Sequence, residues 1–247
     1  MTSQANIRWT RLAAEGIAIV ISILLAFAID AWWANRVESI EEAEILRALQ
    51  REFEMNLVTL DAQLAYRDAV RASANRILQA AAGEIRLEPA EFDRLLGDIL
   101  WTGWLDLSTG ALASLLQSGK LSLIKNRMLS EHLAGLPYWL DNTAKLEEFE
   151  LRRLDTDLFP FLSEHTYLPQ IYNTFGGQPG TGDFPNPSVL PTGETRDHTD
   201  LLQNVKFIGM ISIEHNDHND AIWSYGILEE KLETAIHLIE SELGGRE

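Results

Sequence analysis

The run Glu214-His215-Asn216-Asp217-His218-Asn219-Asp220 is the densest group of proton- and metal-binding side chains in this 247-residue chain. His215 and His218 stand three residues apart and so share a helix face, with Glu214 one turn from His218. Two imidazoles and a carboxylate in that arrangement are a weak candidate for a divalent cation. Both histidines also fall on the apolar stripe Ile208, Ile211, Ile222, Tyr225, where they read more simply as a polar layer hydrogen-bonded inside a helical bundle.

Other candidate chemistry is thinner. Asp106 and Ser108 follow Trp101 and Trp104 and could line a pocket, though isolated polar residues beside tryptophans more often cap helices. Ser, His and Asp occur without any nucleophile motif. Gly176-Gly177 and Gly180-Thr181-Gly182 neither follow a strand nor precede a Lys-Ser/Thr pair, which argues against a phosphate loop. The absence of cysteine removes disulfides, thiolate zinc sites, iron–sulfur ligation and cysteine nucleophiles together. A net charge of −17 argues against nucleic acid and predicts repulsion from anionic headgroups. We therefore expect no catalytic residues, no cofactor and no enzymatic activity.

The elements that must position these residues are helical throughout. Gly16–Ile29 reads GIAIVISILLAFAI, and with Leu12–Ala14 and Ala31–Trp33 it approaches the ~20 residues that cross a bilayer core. Glu15 and Asp30 sit at its ends, and Trp9, Trp32 and Trp33 form candidate interfacial belts. Ala26-Phe27-Ala28 mimics a signal-peptidase site, but an acid ahead of the apolar run is unusual for a signal peptide. Arg8 and Arg11 precede the span and the acidic run Glu38, Glu41, Glu42, Glu44 follows it. Positive-inside logic then places residues 1–11 in the bacterial cytoplasm, 12–33 in the inner membrane and 34–247 in the periplasm. Ala14, Ala18, Ser22, Ala26 and Asp30 recur every fourth residue, a small-residue stripe for a partner helix or a second copy; the rival reading is that alanine is common in anchors. No His, Asn or Gln lies within Gly16–Ile29, so the span offers no strong pigment or haem ligand.

Past the span, Leu46, Leu49, Phe53, Leu57, Leu60, Leu64, Val70, Ala74, Ile77 and Ala81 keep helical spacing, predicting one helix from the membrane to about Ala82. If straight, residues 34–82 would project about 70 Å as a stalk, its Glu-rich start a solvated face with pairs such as Glu44–Arg47. Pro89 opens a second helix to about Trp101, and Ser108 is a plausible cap for a third ended by Gly119. A fourth runs from Asn126 to Leu133 and a fifth from Pro137 to Pro160. Residues 166–199 hold five Pro and five Gly, an irregular segment. A last helix spans about Asp200–Leu243, with Val205, Ile208, Ile211, Ile222, Tyr225, Leu232, Ile236 and Ile239 on its apolar face. The fold class is all-α, an antiparallel bundle in which the first and last long helices pack together.

Two stretches carry a family resemblance. Glu15-Gly16 with Ile23–Trp33 (ILLAFAIDAWW), Arg36 and the charged helix behind them are similar to uncharacterised single-pass bacterial membrane proteins with a Gly-Glu pair, an Ile-Asn-Asn-Trp anchor and a Glu/Arg-rich helix. Leu115–Asn126 resembles that family's Ser-Gly-x-Leu-x-x-Ile-x-Asn turn, matched at Ser118, Gly119, Leu121, Ile124 and Asn126. Asp30-Ala31 replaces the paired Asn, and the order of Glu15 and Gly16 is reversed. The resemblance covers about a quarter of the chain and implies a domain of unknown function with no catalytic residue to carry over.

The expectation is a non-catalytic accessory subunit that packs within and stabilises a larger membrane complex, of respiratory or reaction-centre type, through other transmembrane subunits or its own copy. The alternative is a periplasmic ligand-binding sensor or transport accessory, whose signal would have to pass to a partner helix because about eleven residues lie on the cytoplasmic side.

Overall fold

The computed structural model describes residues 9–100, 105–174 and 195–245, with side chains from Ile17 onward. The side chains of Trp9, Ala14 and Glu15 lie outside the described residues, as do Trp101, Trp104 and the glycines of 176–182.

Among the described residues the chain is all-α. Helix α1 (Trp9–Ala81) runs unbroken for 73 residues, roughly 110 Å at 1.5 Å per residue. Its first third is long and apolar enough to cross a membrane, and every side chain from Ile17 to Trp33 is exposed. A helix apolar on all faces needs lipid or protein around its whole circumference. It passes through Ala26-Phe27-Ala28 without a break.

From Glu42 onward α1 changes regime. With Glu52, Tyr66 and Ser73 buried beside them, its buried positions include the series Glu42, Leu46, Leu49, Phe53, Asn56, Leu60, Gln63, Arg67, Val70, Ala74 and Ile77, spaced alternately four and three apart. That is the heptad seam of a coiled coil. The last helix, α7 (Val205–Gly244), carries the matching seam Phe207, Ile211, Glu214, His218, Ala221, Tyr225, Leu228, Leu232, Ala235, Ile239. Arg71 bonds Asn219 at 3.0 Å and Arg67 bonds Tyr225 at 3.2 Å, while Leu243 and Gly244 return beside Arg36 and Arg47. The two helices are therefore antiparallel, as expected. The continuous helix past the span is as expected, and only about eight residues separate Trp33 from the first seam position, so it is packed in the bundle over nearly its whole remaining length.

Helix α4 (Arg127–Arg153) completes a three-helix core, antiparallel to α7 through His132 to the Lys231 carbonyl and Thr143 to Ser224. The expected division of this region at Pro137 does not occur. Pro137 lies inside α4 on its exposed side, so its ring stays out of the core although it removes the N–H that would bond the Leu133 carbonyl. The seam residues Leu133 and Leu136 are buried just before it, and that packing holds the helix together. Nor does the helix stop at Pro160. A π-helical turn (Leu154–Leu158) carries the chain into α5 (Phe159–His165), with Phe159 N–H bonding Leu154 O and Pro160 in the first turn.

Shorter elements close the two ends. Helix α2 (Pro89–Ile99) packs on the distal part of α1 with Phe92, Leu95 and Leu96 buried. Helix α6 (Leu168–Tyr172) sits against it so tightly that a Cβ on Gly97 would lie 2.5 Å from Thr174 Oγ1. The ends of the expected irregular segment are thus ordered as α6 and a 3-10 turn at Thr199–Gln203. That turn displaces the start of the last helix from Asp200 to Val205, where Asn204 caps Lys206 and Phe207. Val205 is exposed rather than part of the apolar face.

Helix α3 (Gly110–Gln117) is capped in an unexpected way. Ser108 is not its cap; the Glu52 carboxylate of α1 accepts from Ala111 N–H at 2.6 Å and Leu112 N–H at 3.0 Å. An acid from a distant helix here does the work of a local N-cap.

Candidate functional site

Two apolar clusters make up the core. The one nearer the apolar third of α1 runs from Leu46 to Ile239, and the distal one gathers Tyr66, Phe92, Leu162 and Phe207. Between them, along each of the three long helices, the seam turns polar. Gln63 and Arg67 come from α1, Thr143, Glu147, Glu150 and Arg153 from α4, and Glu214, Asp217, His218 and Ser224 from α7.

Arg67 is the centre of this layer and is only 1% exposed. Its Nη1 donates to Glu150 Oε2 at 2.6 Å and to His218 Nδ1 at 3.3 Å; its Nη2 donates to Tyr225 Oη at 3.2 Å and Glu147 at 3.4 Å. Ala221, fully buried on the same α7 seam, leaves room for the guanidinium. Tyr225 in turn donates to Glu147, which also accepts Leu105 N–H at 2.9 Å, and Arg153 pairs with Asp217. Because arginine can only donate, His218 must present Nδ1 as an acceptor and carry its proton on Nε2. Burial and the neighbouring Arg67 push His218 down to about 3, so it is neutral.

Two guanidiniums face four carboxyls in this layer. Burial pushes Glu150 up to about 7 against the opposing pull of Arg67, and burial with the nearby Glu150 pushes Glu214 up to about 7. Glu150 Oε1, Asp217 Oδ2, His218 Nε2 and Arg153 Nε are buried without a hydrogen-bond partner among the described residues. Burial thus holds both carboxyls above the ordinary carboxylate range, and the polar groups of the layer hold the three helices to one another. A shift of register along this seam would strand buried charges, which is how a polar layer selects one packing among several.

The candidate metal site resolves differently. His218 and Glu214 lie on the seam, whereas His215 is half-buried beside Asn219, so the two histidines do not share the seam as expected. Among the described residues no group of three His, Cys, Asp or Glu is placed to hold a metal ion. The polar-layer reading describes His218 well, but the sequence argument missed Arg67, Glu147 and Glu150. A signal was available: Arg67 falls on the four-three spacing of α1 between Leu60 and Ala74.

A second buried pair joins Asp93 to His198 at the distal end. His198 Nδ1 lies 2.8 Å from Asp93 Oδ1, and its Nε2 accepts Tyr167 N–H at 3.1 Å. An Asp–His pair can serve a nucleophile only through a free Nε2. Here that nitrogen is occupied by backbone, and Gln170 bonds Asp93 and the Arg196 main chain. The pair fastens residues 167–170 and 196–198 to α2.

The remaining expected residues are placed as follows. Ala18, Ser22, Ala26 and Asp30 are exposed on the apolar third of α1, and Ser22 Oγ donates back to Ala18 O at 2.8 Å. Trp32 and Trp33 are exposed with ring centroids 6.3 Å apart. Ser118 caps the end of α3, Gly119 has φ +70°, Leu121 lies in the 3-10 turn Lys120–Leu123, Ile124 is buried, and Asn126 caps α4 by accepting Leu129 N–H at 3.1 Å. The motif is a helix stop, a left-handed glycine and a helix start. It docks on α1 because Glu42, fully buried, accepts Lys125 N–H at 2.8 Å. The Glu-rich run of α1 is thus not wholly a solvated face: Glu42 and Glu52 are buried caps, while Glu44 and Arg47 are exposed. Asp106 and Ser108 are exposed, and Asn56 clasps Ser108 through both its backbone groups at 2.7 and 2.9 Å.

No protein-family model, curated protein or solved structure matches the chain.

Proposed function

We propose that this chain is a non-catalytic, membrane-anchored accessory subunit that braces a larger membrane assembly. The observation that carries the reading is the continuity of α1. One helix supplies both the exposed apolar segment and the central seam of a bundle whose buried charges are engaged with each other. A displacement at the membrane is thereby transmitted directly into the bundle, which suits a brace. The exposed face Ala18, Ser22, Ala26 packs against a helix of a partner or a second copy. With Arg8 and Arg11 ahead of the span and Glu38, Glu41 and Glu44 behind it, the N-terminus is cytoplasmic and the bundle lies in the periplasm of a bacterium.

Native mass in mild detergent, with identification of whatever co-purifies from the source membrane, tests the assignment. Stoichiometric recovery with a multi-subunit complex is the expected result. Recovery of the chain alone, as monomer or homo-oligomer, refutes it. A cysteine introduced at Ser188 should react with an impermeant thiol reagent before the inner membrane is breached; labelling only afterwards reverses the orientation.

A further inference from the structure

The base of the bundle carries a cleft of about 900 Å³ between α1, the end of α7 and the loop before α4. Three cations line it: Arg36, Arg47 and Lys125, with Ile40, Ala43 and Leu243 as its apolar part. This clustering is unusual in a chain with 20 basic and 37 acidic residues. Arg36, Arg47 and Lys125 are exposed, and among the described residues Arg36 and Arg47 make no ion pair. Lys125 reaches Ser39 Oγ at 2.8 Å and stands 3.8 Å from Glu42. Glu44 and Glu242 also border the cleft, so with Glu42 three acids balance its three cations, and Arg36 and Lys125 present theirs at the exposed base of the bundle.

Its position gives it meaning. Arg36 is three residues beyond Trp33, roughly 5 Å along the helix axis, and Ser39 and Lys125 lie about one turn higher. Arg36 thus lies within the headgroup layer, which adds roughly 5–8 Å to each side of the hydrocarbon core, and Ser39 and Lys125 stand at its outer edge. We propose that this cleft binds the phosphate of an anionic phospholipid in the leaflet facing the bundle. Arg36 and Lys125 hold the phosphate, and the acyl chains of the lipid run back along the apolar third of α1. The acidic bundle would otherwise be repelled by an anionic surface, so the cleft also fixes which side of the bundle faces the membrane. The proposal rests on Ile17–Trp33 crossing a bilayer.

The test uses the full chain reconstituted in mixed phosphatidylglycerol–phosphatidylcholine bilayers. It is then extracted in mild detergent, and retained lipid is counted by native mass spectrometry. Phosphatidylglycerol should be retained selectively, and Arg36→Gln with Lys125→Gln should reduce that retention by at least about fivefold for each charge removed. Arg86→Gln removes an exposed charge at the far end of the bundle and should leave retention unchanged. Equal retention of both lipids, or of phosphatidylglycerol by the double variant, overturns the site. Displacement of the lipid by millimolar inorganic phosphate overturns the headgroup assignment in favour of a free anion. Flotation with vesicles is measured in parallel. Wild type that floats without lipid selectivity loses only the site, whereas wild type that fails to float loses the membrane reading as well.

Discussion

Replacing Glu214 with Gln isolates the proton linkage of the buried layer. Glu214 is 3% exposed and faces Glu150 and Asp157, which raise its pKa, and Arg153 and Arg67, which lower it. Asp217 and His218 follow it on the same helix. In the unfolded chain this carboxyl titrates near 4.5; in the bundle it is pushed up to about 7. Between those values the folded chain holds a proton that the unfolded chain has released. The stabilisation is complete below about pH 4.5 and is lost as pH rises through about 7. Integrated from pH 8 to pH 5, it amounts to roughly 2.5 kcal/mol. Gln imitates the protonated acid at every pH. The variant should therefore match wild type near pH 5 and exceed it by about 2 kcal/mol at pH 8. Urea unfolding of the full chain in mild detergent at both pH values measures this difference, and effects common to both proteins cancel. His218 acts in the opposite sense, since a histidine pushed down to about 3 stabilises above pH 6.5 and loses that contribution as pH falls; it too cancels. A pH-independent difference, or a variant weaker than wild type at pH 8, would show that Glu214 is ionised and paired with Arg153, and the reasoning would fail.

Arg67→Met should destabilise by about 3–5 kcal/mol at neutral pH, because Glu150 and Glu147 lose their counter-ion in the core. Adding Glu150→Leu should recover a good part of that loss, which thermal unfolding of both variants would read. Glu52→Ala removes the acceptor for two N–H groups of α3 and should cost about 1–2 kcal/mol, with hydrogen exchange accelerated at Ala111 and Leu112. Gly97→Ala should cost about 1–3 kcal/mol by colliding with Thr174, and Thr174→Ala in the same chain should relieve it; an additive pair would refute the contact. His198→Ala frees Asp93 and Tyr167 N–H and should increase chymotryptic cutting after Tyr167 and Tyr172 and tryptic cutting after Arg196, judged by limited digestion.

The sequence by itself determined the class and the scale of this protein. An apolar run long enough for a bilayer, a helix-compatible stretch with no proline before Pro89, and aliphatic residues at helical spacing left little besides a helical bundle on an anchor. Gly119 and Asn126 marked a real helix boundary because a left-handed glycine and an Asn cap act locally. What failed to read locally was decided by packing. Pro137 and Pro160 looked like breaks, since proline forfeits a hydrogen bond; the buried leucines around them and a π turn kept the chain helical.

Scanning for apolar residues alone passed over Arg67, Gln63 and Asn56, although their spacing put them on the seam. Whether such a residue turns inward depends on partners 80 to 160 residues away, Glu150 and Tyr225 among them. Burying a guanidinium is unfavourable until those partners are present. The same holds for Glu42 and Glu52, which in isolation belong on a solvated face and become buried caps only when Lys125 and α3 arrive against α1. Local rules settle which segments are helices, because their hydrogen bonds close within a turn. Only the tertiary structure decides which charges are interior, because each needs a counter-charge from another part of the chain.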